Sequence, residues 1–92
     1  MSVAVLVPGP LQPFAGGASR VDLEAPGTVA EALRQLDSVH PGLSRRVLDE
    51  TGAVRPHVNI FVGPDNIRDA AGLATRVPEG SEIAILPAVS GG

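Results

Sequence analysis

Marked by its apolar positions, the chain shows several short β-branched runs and one stripe at helical spacing. "SVAVLV" (Ser2 to Val7) is a β-branched run stopped by "PGP", which predicts a first strand. "PGPLQPFAGGAS" follows as a loop, because its prolines and glycines do not sustain a hydrogen-bond ladder. "RVDLEA" alternates, with Val21, Leu23 and Ala25 on one side and Arg20, Asp22 and Glu24 on the other. That pattern predicts a half-exposed second strand at a sheet edge. In "TVAEALRQLDSVH", Val29, Ala32, Leu33, Leu36 and Val39 share one helical face. Thr28 followed by Glu31 reads as a capping box, and Pro41 ends the helix.

Downstream, "LSRRVLDETG" predicts a short second helix with Leu43, Val47 and Leu48 inward and Gly52 as its stop. "HVNIFV" (His57 to Val62) predicts a third strand, and "GPDN" turns it into a short strand at "IR". "AAGLATRVPEG" reads as a connector with brief extended pieces. "SEIAILPA" (Ser81 to Ala88) is the last strand. This order fits an α+β domain with one main helix across one face of a sheet, so that two layers bury the core. With Val3, Val5 and Val7 turned to the helix, Leu6 faces away. The same alternation leaves Phe61 and Leu86 on the uncovered face. Scattered, three such side chains are ordinary; contiguous beside the chain end, they make a docking surface.

Composition narrows the function. Ninety-two residues with 43% hydrophobic content and a net charge of −3 suit one soluble, globular domain. The N-terminus has no basic flank and no long apolar run, so no signal peptide is expected, and a cytoplasmic location follows by default. With no cysteine, disulfides, thiol catalysis and Cys-ligated zinc are excluded. All seven basic residues are arginines, scattered apart from one adjacent pair, and the aromatics are Phe14 and Phe61. An acidic chain without a basic stripe or stacking platform is a poor nucleic-acid binder. No apolar run approaches the ~20 residues of a membrane helix.

Candidates for chemistry are few. His40 precedes "PG" at a helix end and His57 begins a strand; neither has ligand or base partners at suitable spacing. Asp49, Glu50 and Asp65 fall in helix-end and turn positions. No serine carries a nucleophile signature, and a phosphate loop requires the lysine this chain lacks. No catalytic residue and no metal site is therefore expected.

What remains is the end, "ILPAVSGG". With 11 glycines in 92 residues, a terminal pair arises by chance in about one chain in 70, so the pair alone decides nothing. Its setting adds weight. Residues 1–87 are expected to form the domain and 88–92 a flexible tail that reaches ~16 Å when extended. Ala88, Val89, Ser90 and Gly91 are slim enough for a narrow channel in a partner enzyme, and glycine admits a close backbone approach. A carboxylate delivered at Gly92 is able to attack the α-phosphate of a nucleotide, giving an acyl-adenylate open to sulfur or nitrogen nucleophiles.

The order of elements with this ending resembles the β-grasp sulfur carriers of the ThiS and MoaD family, most closely the CysO type. The resemblance is densest over "HVNIFVGPDNIRDAAGLATRVPEGSEIAILPAVSGG", and the internal "GG" (Gly16 and Gly17) also falls where CysO-type chains have one. Ser90 departs from the alanine expected there, a change of small for small.

The resemblance implies a ubiquitin-like β-grasp fold and a carrier, not an enzyme. Gly92 would be the covalent sulfur site, as a thiocarboxylate. A ubiquitin-activating-type adenylyltransferase and sulfurtransferase would supply the chemistry with its own ATP and magnesium, the carrier binding no cofactor. The acceptor would be a PLP-dependent cysteine synthase, its adduct clipped by a zinc peptidase, or an enzyme of secondary metabolism. Leu6, Phe61 and Leu86 would dock the activating enzyme, with Arg76 at the rim. Two rival roles share the activated tail: a ubiquitin-like modifier conjugated through Gly92, and the small subunit of molybdopterin synthase. A plain interaction domain with incidental glycines is the third.

Overall fold

The last strand in sequence is the central strand in space. The structure, a computed structural model, describes residues 2–87. Its five strands are β1 (Ser2–Leu6), β2 (Arg20–Glu24), β3 (Val58–Val62), β4 (Asp65–Asn66) and β5 (Glu82–Pro87), ordered β2-β1-β5-β3-β4. β5 runs parallel to β1 and antiparallel to β3, while the outer pairs are antiparallel. A parallel pair needs a long crossover, and the main helix α1 (Val29–Val39) lies within it.

The helix forms where the apolar stripe and the cap coincide. Thr28 Oγ1 accepts the Glu31 N–H at 3.2 Å. The Glu31 carboxylate accepts the Gly27 N–H at 2.8 Å rather than that of the cap residue itself. The reciprocal box is thus widened by one residue, with the same effect: both otherwise free donors are satisfied. Val29, Ala32, Leu33 and Leu36 are buried against Val3, Val5, Ile60, Ile83 and Ile85 of the sheet. Val39 does not join them and is 59% exposed. It is the last helical residue, and the chain leaves helical geometry at His40, so the stripe runs out a turn early.

Four local expectations change. The proline-rich stretch coils into a 3-10 helix, Gly9–Ala15, because prolines suit the first turn of a helix; it buries Ala15 and leans Leu11 and Phe14 on the core. Ala25 is exposed with φ 31°, ending β2 instead of extending its buried face. The second helix, α2 (Ser44–Val47), is shorter than expected: Leu48 pairs with Val54 instead. Gly52, at φ +87°, serves a turn whose amides and hydroxyl are gathered by Asp49. Finally, Asp65–Asn66 forms β4, and Ile67 enters a 3-10 turn that buries its side chain.

The sheet face away from α1 carries Ala4, Leu6, Phe61, Ala84 and Leu86, as alternation requires. Ala4 is nonetheless buried, its methyl lying between the flanking Asp22 and Glu82 positions.

Candidate functional site

Strand register turns the far face into a definite pattern. Leu6 stands opposite Ala84, Ala84 opposite Phe61, and Phe61 opposite Asn66. These residues form one row across four strands spaced about 4.8 Å apart. Arg20 of β2 closes the row beyond Leu6. Leu86 lies on the same face of β5, opposite Asn59 and diagonal to Phe61, and is 44% exposed. The expected residues Leu6, Phe61 and Leu86 are thereby brought together.

The rim of the row is polar. Asn59 Oδ1 accepts from Asn66 Nδ2 and from Arg68 Nε, each at 3.4 Å. Arg68 Nη2 also holds the carbonyls of Arg55 at 2.9 Å and Val58 at 2.6 Å, which fixes one end of β3. On the other side stand Glu82 and the exposed Arg20–Asp22 ion pair at 3.1 Å. An apolar centre inside a polar rim is the anatomy of a protein-docking patch. Arg76 is exposed and pairs with Thr28 ahead of α1, outside this row. Ala88, Val89, Ser90, Gly91 and Gly92 lie outside the described residues.

β5 carries the site. Held between β1 and β3, it cannot shift without breaking two ladders, so the patch is fixed relative to Pro87, the last described residue. Among the described residues no group of three or more carboxylates or histidines is placed to hold a metal ion. Asp49 has its carboxyl held below the ordinary carboxylate range, chiefly by the Thr51 hydroxyl and then by the Ala53 N–H. Those bonds build a turn.

One cluster was hidden in the sequence. Arg45, Arg46, Arg55 and His57 converge on one cavity. The adjacent arginine pair was its single linear signal; Arg55 and His57 arrive by the turn that Asp49 organises.

The comparisons with known proteins agree with this geometry. The ThiS family model matches residues 5–92. The sulfur carrier protein CysO of Mycobacterium tuberculosis is 35% identical over 94 residues, covering all of both chains. Its crystal structure matches with a TM-score of 0.88 over 95% of this chain and 99% of that one. A chain in the Amycolatopsis orientalis BexX/CysO complex matches with a TM-score of 0.89 at 32% identity, over 98% of this chain and 99% of that one. Small archaeal modifier protein 1 of Haloferax volcanii is 37% identical over 73 residues, 79% of each chain.

Proposed function

This chain belongs to the ThiS family of β-grasp sulfur carriers, and on that footing we propose that Gly92 carries sulfur as a thiocarboxylate. The observation that carries the reading is the CysO match over the full length of both chains, which takes in Gly91 and Gly92. A Gly92 carboxylate oxygen attacks the α-phosphorus of ATP in an activating enzyme, and pyrophosphate leaves. Sulfide then attacks the carbonyl carbon and AMP leaves; where a persulfide attacks instead, AMP leaves an acyl disulfide, and a thiol cleaves its S–S bond to give the thiocarboxylate and a disulfide. The carrier supplies the acyl group and the docking surface; the enzyme supplies magnesium, nucleotide and catalysis.

Leu6, Phe61 and Leu86 form the docking surface in this reading, and Ala88 to Ser90 thread the channel. The CysO of Amycolatopsis orientalis was crystallised in complex with BexX, which supports a carrier of this shape engaging a partner protein. The acceptor we propose is a biosynthetic enzyme that takes the sulfur into cysteine or another metabolite. The absence of cysteine makes Gly92 the one covalent depot for sulfur, and the absence of lysine removes side-chain amines that an activated tail would acylate.

The likeness to a small archaeal modifier protein favours a second reading, conjugation of Gly92 to lysines of other proteins. Intact mass after incubation with ATP, magnesium, an activating enzyme and sulfide separates the two. A gain equal to one oxygen replaced by sulfur, absent when Gly92 is deleted, supports the carrier. Conjugates on lysine without a released thiocarboxylate would support the modifier and overturn the carrier.

A further inference from the structure

Seven arginines among ten carboxylates leave the chain acidic, yet three of them meet at one place. Arg45 and Arg46 of α2, Arg55 and His57 line a cavity of about 460 Å³ with Phe14 and Gly42, and no carboxylate lines it. Among the described residues the one ion pair is Arg20 with Asp22, on the edge strand β2. Asp49 and Glu50 line a neighbouring cavity that shares Arg45 and Arg55. There Asp49 Oδ1 accepts from Thr51 and Ala53, and the Asp49 charge also reaches Arg55 without forming an ion pair with it.

Two of the cations, Arg46 and Arg55, are held in place before any ligand arrives. The Arg46 guanidinium lies 4.1 Å from the centroid of the Phe14 ring. Arg55 Nε donates to the Arg45 carbonyl at 3.1 Å, which ties the loop to α2. Phe14, Arg46 and His57 also line a second cavity, of about 280 Å³, whose wall includes Ile85 and Pro87. The basic cluster therefore abuts the last described residues of β5, on a different side from the Leu6–Phe61–Leu86 row.

We propose that this cavity docks an acidic peptide segment, the lip of the partner site that receives the residues after Pro87. The identity of that partner rests on the carrier reading; the chemistry of the cavity does not. Guanidinium groups recognise carboxylates through paired hydrogen bonds. A segment with several carboxylates meets several cations at once, where one small anion meets solvent competition. Nucleic acid fits less well, because the chain is acidic and the Phe14 ring at the site is covered by Arg46. Such complementarity steers association and weakens with salt.

The test is an NMR titration of the full chain, amide and arginine Nε–H signals together, with an acetylated hexaglutamate peptide at low salt. Saturable shifts are expected at the amides of residues 44–47, Arg55 and His57 and at the Arg45, Arg46 and Arg55 side chains, with Arg20, Arg34 and Arg76 still. R45Q/R46Q should raise the dissociation constant roughly fivefold or more, and about 0.5 M salt should do the same. Arg45→Gln alone serves if the double variant misfolds, since that guanidinium makes no hydrogen bond among the described residues. Shifts spread over all seven arginines, a titration unchanged by the variants, no binding, or preference for an oligothymidylate would each overturn the proposal. The readout uses neither sulfur nor activating enzyme, so its failure leaves the carrier reading standing, and failed sulfur loading leaves this site standing.

Discussion

Phe61 is half-buried, with Ala84 on one side and Asn66 on the other, so its ring lies over the sheet without entering the core. Phe61→Asp should therefore spare the fold and place a carboxylate at the centre of the apolar row. A central aromatic anchor commonly carries about 2 kcal/mol or more, so affinity for the activating enzyme should fall by about thirtyfold or more. Calorimetric titration checks this, and an unchanged affinity would remove the row from the docking account. Asp49 sets a different expectation. Its carboxyl sits below the ordinary value of 3.8 when folded, mainly through the Thr51 hydroxyl, then the Ala53 and Thr51 amides and the Arg55 charge. A pKa lowered by folding stabilises the chain above the unfolded value and loses that contribution as pH falls through the folded value. Asp49→Asn should thus flatten the acid side of the melting-temperature profile below about pH 4. Parallel profiles for the two proteins would show that this turn is not titrating with the fold.

At the level of elements, the cap of α1 is the most exposed to a simple test. Thr28 Oγ1 is the acceptor for the Glu31 N–H, and Thr28→Ala should cost about 1 kcal/mol in urea unfolding. A loss near zero would mean that the Glu31–Gly27 bond holds the first turn by itself. This helix was legible because its period and its cap agree along one short stretch. The row on the face away from α1 was legible too, since alternation within each strand fixes the face whatever the neighbours are. Strand order was not: nothing in "SEIAILPA" says that it lies between β1 and β3. The second helix was read too long because Leu48 looks like its next inward residue, yet a bridge to Val54 holds that residue extended. Ile67 was read as a strand for the same reason: burial shows in its side chain, and the backbone turn that achieves it does not. The arginine cavity was illegible because its members come from α2, the loop after it and the start of β3, and proximity across elements has no linear period.

For the whole molecule, a central β5 combined with the proposed role of Gly92 predicts a division of labour between residues 2–87 and the residues after them. The described core runs from Val3 to Ile85, drawn from every strand but β4 and from both helices. In the proposed reading the docking groups belong to that body, and Gly92 supplies the reacting carboxylate. Removing Gly91 and Gly92 should then alter stability by no more than the ~0.5 kcal/mol typical of peripheral changes, a shift within about 4 °C for a domain of this size. The shortened chain should keep its affinity for the activating enzyme, gain no sulfur, and slow the loading of the full chain in proportion to its own occupancy. Adding the shortened chain in excess to a loading reaction measures all of this at once. Competitive inhibition with an unchanged maximal rate places recognition on the body. Undiminished loading in that mixture would place recognition in the tail itself, and both the apolar row and the arginine cavity would then lose their role with this enzyme.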